Sequence, residues 1–379
     1  MATKNRGVIV ATAQTVVDAV ETELDQIGET VIEQVGLVDR MGERQASALD
    51  MTWLRQYRMW REWVGEREAR SDRRAFQARM YSRKFEDSIR IPIEDIEDGI
   101  EANFDPEGEA AGLREGYENL VEQEHQAFFE HAMDRNFVGG TVTGPYGEEI
   151  FVGSLDGEPL LSDSHPYYEQ IDYDPTADRG ERMHLEQGGT YTNLVDKPLT
   201  QEALWEVVQI FREQRHYTGR PANMGQPDTI VVPPALEQQA REILEKSVVL
   251  TSNSNGAAAT DNVVPNMDIV VNNYLVGDIT ADFDFDGSSY TDKTLSLENM
   301  WYVANTRPDR KPFIHWDRKE PQVQRPIGSP DITSDDPAEG AVDYMTYKED
   351  AAEIGARARF GVSFGVPQVI LGSFGDQIA

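Results

Sequence analysis

Asp282, Asp284 and Asp286 followed by Gly287, with Asp292 further on, match the opening of a calcium loop, D-x-D-x-D-G. Alternating carboxylates supply hard oxygen ligands for a divalent cation, and the glycine permits the sharp turn. The twelfth position of such a loop is Lys293 here and not the bidentate glutamate. A structural divalent cation is therefore the one cofactor the sequence suggests, and a solvated hairpin tip is the alternative. Ser162, Asp163, Ser164 and His165 are the residue types of a hydrolase, but no G-x-S-x-G elbow surrounds them. They read as a turn closed by His165-Pro166. His125 and His131 stand six apart on a predicted helix, on different faces, unlike the ligands of an H-E-x-x-H site. Neither a phosphate loop nor a dinucleotide fingerprint is present, so no catalytic residues are expected.

Charge carries more information. The 379 residues hold 68 acids and 35 bases, a formal charge of −33, with only 39% apolar residues. Eight lysines stand against 27 arginines. A carboxylate-rich, lysine-poor surface suits concentrated salt, where the Debye length shrinks from about 10 Å at 0.1 M to about 3 Å at 1 M and self-repulsion is screened. The expected source is a halophile or its virus. Six Trp, fourteen Tyr and fourteen Phe argue for a packed core over disorder. The absence of Cys removes disulfides and thiolate metal sites, and no apolar run approaches the roughly 18 residues of a membrane span. A soluble protein is expected.

Within this acidity one stretch is basic. Residues 55–90 hold eleven Arg or Lys against six acids, and residues 94–134 hold fourteen acids against Arg114 alone. Charge segregated in this way serves contacts between copies better than contacts within one. The candidate intersubunit residues are Arg61, Trp63, Arg67, Arg70, Arg73, Arg74, Arg83 and Lys84 on the basic side, and Glu94, Asp95, Glu97 and Asp98 on the acidic side. The alternative is a solvated, salt-bridged surface. Outside residues 55–90 no basic cluster exists that could release counterions from phosphates, which disfavours a nucleic-acid-binding role.

The elements that must position these residues follow from periodicity. Residues 1–50 read as a helical arm, with Val17, Val20 and Leu24, then Val31, Val35 and Val38, at helical spacing. Thr52 to Pro92 alternates around a turn-like Ser82 to Lys84, as a two-stranded ribbon that needs a partner surface. Glu107 to Arg135 is a long helix, and residues 136–189 read as loops and short hairpins. Residues 198–247 form an α/β unit: Thr200 caps a helix with Leu204, Val207, Val208 and Phe211 inward, strand Thr229 to Val232 follows, and Pro233-Pro234 opens a second helix. A polar loop is expected over Thr251 to Asn262, then strands Ile269 to Asn272 and Trp301 to Ala304. Ile354, Ala356, Ala358, Phe360, Val362 and Phe364 alternate with small or basic residues as a half-buried strand whose other face is closely approached or covered by acids.

In this order R61-E-W-V-G-E-R, R83-K-F-E-D-S-I, D95-I-E-D, L161-S-D-S-H-P, D228-T-I-V-V-P-P-A-L-E and the return from W301-Y-V to K311-P-F-I resemble the Mu-like major head subunits, a branch of the major capsid proteins with the Hong Kong 97 fold. The resemblance implies an α+β fold: an N-terminal arm (1–50), an extended β-ribbon loop (51–92), a peripheral domain with a spine helix (93–193), an axial α/β domain (194–305) and a return to the peripheral domain (306–379). It implies a major capsid protein that assembles into hexamers and pentamers of an icosahedral head around double-stranded DNA, in a tailed virus of a halophilic archaeon. The implied partners are copies of itself, a portal, a scaffold or protease, and decoration proteins. It faces packaged DNA without sequence-specific binding, touches no membrane, resides in the virion and is assembled in the host cytoplasm. An encapsulin-like compartment shell and a halophilic α/β hydrolase are the other readings. The short arm is expected to be retained in the mature particle.

Overall fold

The computed structural model describes residues 15–44, 46–54, 74–92, 105–137, 140–143, 149–170, 185–215, 222, 225–245, 248–253, 256–261, 267–307, 309, 311–324 and 351–378. The chain enters through helix α1 (residues 15–24), whose buried Val16, Val17 and Val20 pack on Ile89, Ala110, Leu113 and Ile354. Helix α2 (Val31–Gln34) is a single turn fixed at both ends by local chemistry. Thr30 and Glu33 form a reciprocal capping box at its start. At its end Gly36, at φ +79°, lets its own N–H reach Glu33 O and that of Leu37 reach Ile32 O, a Schellman motif. Val38 therefore opens strand β1 (Val38–Met41), and the helical spacing of Val31, Val35 and Val38 does not continue through it.

Strand β2 (Ala48–Leu54) pairs antiparallel with β3 (Arg74–Tyr81). The expected turn at Ser82 to Lys84 is not a hairpin turn, because β4 (Arg83–Pro92) leaves β3 to join another sheet. Alternation on both sides of Ser82 looks the same in sequence whether the strands pair or part, so the ribbon's true hairpin is β2–β3. After helix α3 (Pro106–Glu130), β5 (Thr141–Thr143) and β6 (Glu149–Val152) complete the order β2-β3-β6-β5. A separate hairpin joins β7 (His165–Gln170) to β8 (Leu185–Tyr191).

The α/β unit follows its sequence pattern. After β9 (Leu194–Val195) comes α4 (Gln201–Glu213), whose cap Thr200 accepts from the Ala203 N–H, and then β10 (Thr229–Val232) and α5 (Glu237–Leu244). The expected polar loop is instead a hairpin of β11 (Val248–Asn253) and β12 (Gly256–Asp261), paired antiparallel from Val248 with Asp261 to Asn253 with Gly256. Strand β13 (Asp268–Val271), the hairpin β14 (Asp278–Phe285) with β15 (Ser288–Ser296), and β16 (Trp301–Ala304) follow. Strands β17 (Phe313–Gln324), β18 (Ala351–Phe364) and β19 (Ile370–Ser373) close the chain. One sheet has the order β13-β10-β16-β19-β9, the other β1-β17-β18-β4. The fold is α+β, and among the described residues no helix is long and apolar enough to cross a membrane.

The β17–β18 pair is the axis on which the rest packs. Its register sets Phe313 opposite Phe364, His315 opposite Val362 and Asp317 opposite Phe360, all on the face that meets α3. The other face sends Ile314 and Trp316 into a cluster with Leu49, Met51, Ala78 and Met80 of the β2–β3 hairpin. That second face is closely approached, as the alternation predicts: a Cβ on Gly361 would stand 2.4 Å from the Tyr81 carbonyl oxygen.

Backbone cannot retreat as a side-chain tip can, so Gly361→Ala should destabilise the chain by about 1–3 kcal/mol through overpacking. Gly112, in the exposed α3 interior with nothing within 4 Å of an added Cβ, gives the opposite expectation. Gly112→Ala should stabilise by roughly 0.5–1 kcal/mol through helix propensity. Urea unfolding of the two variants beside the parent checks both signs.

Candidate functional site

Two buried polar knots sit where elements distant in sequence meet. The first joins α2, α3, β1 and β17. His125 on α3 and His315 on β17 are 1% and 0% exposed, and their rings stand at 87° with His125 Nε2 2.9 Å from His315 Nδ1. His315 Nε2 lies 2.9 Å from Asp317 Oδ1, and Arg40 Nε donates to Asp317 Oδ2 at 2.9 Å. His125 Nδ1 lies 2.8 Å from Thr30 Oγ1, the hydroxyl that caps α2. Burial, reinforced by His315 and the Arg40 charge, pushes His125 down to about 3. Asp317 is pushed up by burial, but the contacts with His315 and Arg40 outweigh that and leave it below the usual carboxylate range. His131, which caps the end of α3, stacks on Phe137 instead, so the two histidines do diverge.

The second knot is built on the L-S-D-S-H-P segment. His165 is fully buried, with Nδ1 2.8 Å from Asp156 Oδ2 and Nε2 within 3.2 Å of both Leu160 O and Asn193 Oδ1. The Asn193 amide donates to Leu160 O and Pro367 O, which fixes its oxygen as an acceptor. Both His165 nitrogens thus face acceptors, the arrangement that holds an imidazolium. Ser162 Oγ contacts Glu158 and Ser164, not His165, so no nucleophile–base pair exists here. The segment ties the β7 start to β9 and the loop before β19.

The four aspartates lie on a β-hairpin and not on an open calcium loop. Asp286 and Gly287 form its two-residue turn, with φ of 50° and 72°. Two of the carboxylates have protein partners: Asp282 accepts from Asn136 Nδ2 and the Asp292 N–H, and Asp284 pairs with Arg135 and takes the Ser289 hydroxyl. Of the candidate intersubunit residues, Arg61, Trp63, Arg67, Arg70, Arg73, Glu94, Asp95, Glu97 and Asp98 lie outside the described residues, and Arg74 opens β3. Arg83 pairs with Glu124 of the same chain and covers the Phe85 ring, and exposed Lys84 sits opposite Arg359. The His125–His315 meeting was not foreseeable, since 190 positions separate the two.

The second knot sets a pH dependence. Burial opposes charge on His165, but Asp156 and the other acceptors outweigh it and raise the imidazole above its ordinary value. The folded chain therefore holds this proton more tightly than the unfolded one. The resulting stability is fully present below about pH 6.5, the unfolded value, and is lost as pH rises through the folded one. His165→Gln should cost about 3–5 kcal/mol at pH 6 by stranding Asp156. Melting curves across pH 5 to 9 should show a fall in the parent above neutrality that the variant lacks.

The family model described as phage capsid protein matches residues 175–367, just over half of the chain, and that of the Mu-like prophage major head subunit gpT matches residues 25–129. No curated protein matches. Solved structures similar to the chain include the procapsid of bacteriophage JBD30 (13% identity, TM-score 0.43, 96% of this chain and 75% of that one). The capsid of cyanophage P-SCSP1u is similar at 11% identity and TM-score 0.44, over 89% of this chain and 86% of that one. The virus-like particle from Pyrococcus furiosus is similar at 10% identity and TM-score 0.39, over 95% and 98%. Scores of this size do not bear on the assignment, which rests on the family models. Matched by one capsid model over more than half its length and by a head-subunit model over the arm, the β2–β3 hairpin and α3, this structural, non-enzymatic chain belongs to the phage capsid protein family.

Proposed function

We propose that this capsid protein forms the icosahedral head of a tailed virus that infects a halophilic archaeon and encloses double-stranded DNA. The observation that carries the reading is the pairing of family membership with composition: a head protein with a charge of −33 and eight lysines is suited to assembly in concentrated salt. The Hong Kong 97-type division into ribbon, peripheral domain and axial domain is supported by a β2–β3 hairpin whose open end leads into the Arg- and Trp-rich residues 55–73. In this reading the ribbon's arginines dock on the acidic residues of a neighbouring copy, among them Glu94, Asp95, Glu97 and Asp98. Portal, scaffold or protease, and decoration proteins are the further partners, and assembly takes place in the host cytoplasm.

Exposed ion pairs contribute only about 0–1 kcal/mol each, so screening the ribbon's pairs costs little. Screening the carboxylate excess on every subunit matters more, because repulsion reaches neighbours once the Debye length grows from about 3 Å to about 10 Å. Purified protein should form shells in molar salt and release subunits in dilute buffer, as read by sedimentation and electron microscopy. Arg73→Glu combined with Arg74→Glu should leave a folded subunit that fails to assemble. A chain that stays monomeric at every salt concentration would overturn the capsid reading, and normal shells from the double variant would remove the ribbon's role.

A further inference from the structure

The geometry of the first knot points to a transition-metal site: we propose that Glu33, His125 and His315 bind a zinc-class divalent cation that clamps the N-terminal arm onto α3 and the β17–β18 sheet. The inference is independent of the viral reading. Three observations carry it.

First, the three side chains converge. One ligand atom from each lies within 4.8 Å of the other two, the only such trio of His or carboxylate residues among the described residues. Around one Zn²⁺, with bonds of about 2.0–2.2 Å, tetrahedral ligand atoms stand roughly 3.4 Å apart. The imidazole nitrogens, at 2.9 Å, need to part by about half an ångström and the carboxylate to close in by a similar or larger step.

Second, the outer hydrogen bonds aim the rings. The Asp317 carboxylate only accepts, so His315 keeps its proton on Nε2 and turns the Nδ1 lone pair inward. This carboxylate–imidazole arrangement is the usual outer support of a metal-bound histidine. His125 Nδ1 meets the Thr30 hydroxyl, which accepts the Glu33 N–H and serves His125 either as donor or as acceptor. Without metal, the hydroxyl donates to Nδ1 and the His125 Nε2–H donates to His315 Nδ1. With metal, His125 shifts its proton to Nδ1, donates to Thr30, and presents Nε2 as a second lone pair. In that case Thr30 no longer donates to the ring.

Atoms balance in this exchange. The proton leaving His125 Nε2 is matched by one gained at Nδ1, so the ring stays neutral and no net proton is released at the histidines. The Thr30 hydroxyl hydrogen rotates away from Nδ1 toward another acceptor.

Third, one ligand atom has no hydrogen bond. Glu33 Oε2 takes the Thr30 N–H in the capping box, but Oε1 is buried without a hydrogen bond, on a side chain that is 7% exposed. Its nearest cation is Arg40 Nη1 at 3.7 Å. Glu33 and Asp317 against Arg40 give the site one net negative charge, which a divalent cation offsets. Two imidazoles with one carboxylate select Zn²⁺, Co²⁺ or Ni²⁺ over Ca²⁺ and Mg²⁺, which require all-oxygen shells. A water completes the tetrahedron.

The test uses full-length protein, unfolded and refolded in chelator so that the buried site starts empty, then refolded again with Zn²⁺ or Co²⁺. The proposal expects one metal per chain by elemental analysis after desalting, a higher melting temperature than for metal-free protein, and tetrahedral Co²⁺ absorption in the visible. Glu33→Gln keeps both rings and should weaken Zn²⁺ at least tenfold, and His125→Gln should abolish the Co²⁺ spectrum, whereas His131→Gln should change nothing. Failure to retain stoichiometric metal, a melting temperature indifferent to Zn²⁺, or unchanged affinity in Glu33→Gln would each overturn the site. If His125→Gln does not fold, Glu33→Gln and the parent's Co²⁺ spectrum decide alone.

Discussion

The long antiparallel pairing of β17 with β18 is the constraint on which the other elements depend. Because side chains alternate along both strands, one register commits Phe313, His315 and Asp317 with Phe360, Val362 and Phe364 to the α3 face, and Ile314 with Trp316 to the opposite one. A slip of one residue would exchange the two sets and place Asp317 and His315 against the β2–β3 hairpin. The edges of the pair are then occupied by β1 from the arm and β4 from beyond the ribbon. Segments from opposite ends of the chain are thereby brought into one sheet.

The first polar knot lies on the α3 face of this framework, and the second ties β7 to β9. Two histidines show how the environment divides one residue type. His125 meets another imidazole and a hydroxyl, with Arg40 nearby, and is held neutral. His165 meets a carboxylate and two oxygen acceptors and holds its proton more tightly than a free imidazole. Burial disfavours the proton at both sites, so the acceptors decide the outcome.

Much of the fold was legible wherever a local pattern and a tertiary requirement coincided. The alternation from Ile354 to Phe364 is a strand, and Thr200 caps its helix through the Ala203 N–H. The close approach expected on the far face of β18 is the Tyr81 carbonyl over Gly361. Legibility failed where local pattern underdetermined pairing. Alternation through Ser82 could not say that β3 and β4 enter different sheets, and the polar residues 251–262 gave no sign of the β11–β12 ladder. The D-x-D-x-D-G string drew attention to cation chemistry, yet Arg135, Asn136 and Ser289 supply its partners. The meeting of His125 with His315 was not legible, since 190 positions separate the two and only the fold brings them together.

This contrast says where chemistry resides in a chain so rich in carboxylate. With 68 acids, a local cluster of aspartates is what composition alone delivers, and Asp282 and Asp284 in it are met by nearby donors. A buried pair of imidazoles is not delivered by composition, because only six histidines are present and each one placed in the interior loses hydration. His125, His165 and His315 are nonetheless fully enclosed, and each is fixed by at least two polar contacts. Repulsion between surface carboxylates is screened by salt, whereas these enclosed contacts are screened far less. A subunit whose outer surface responds to salt therefore has interior junctions that do not.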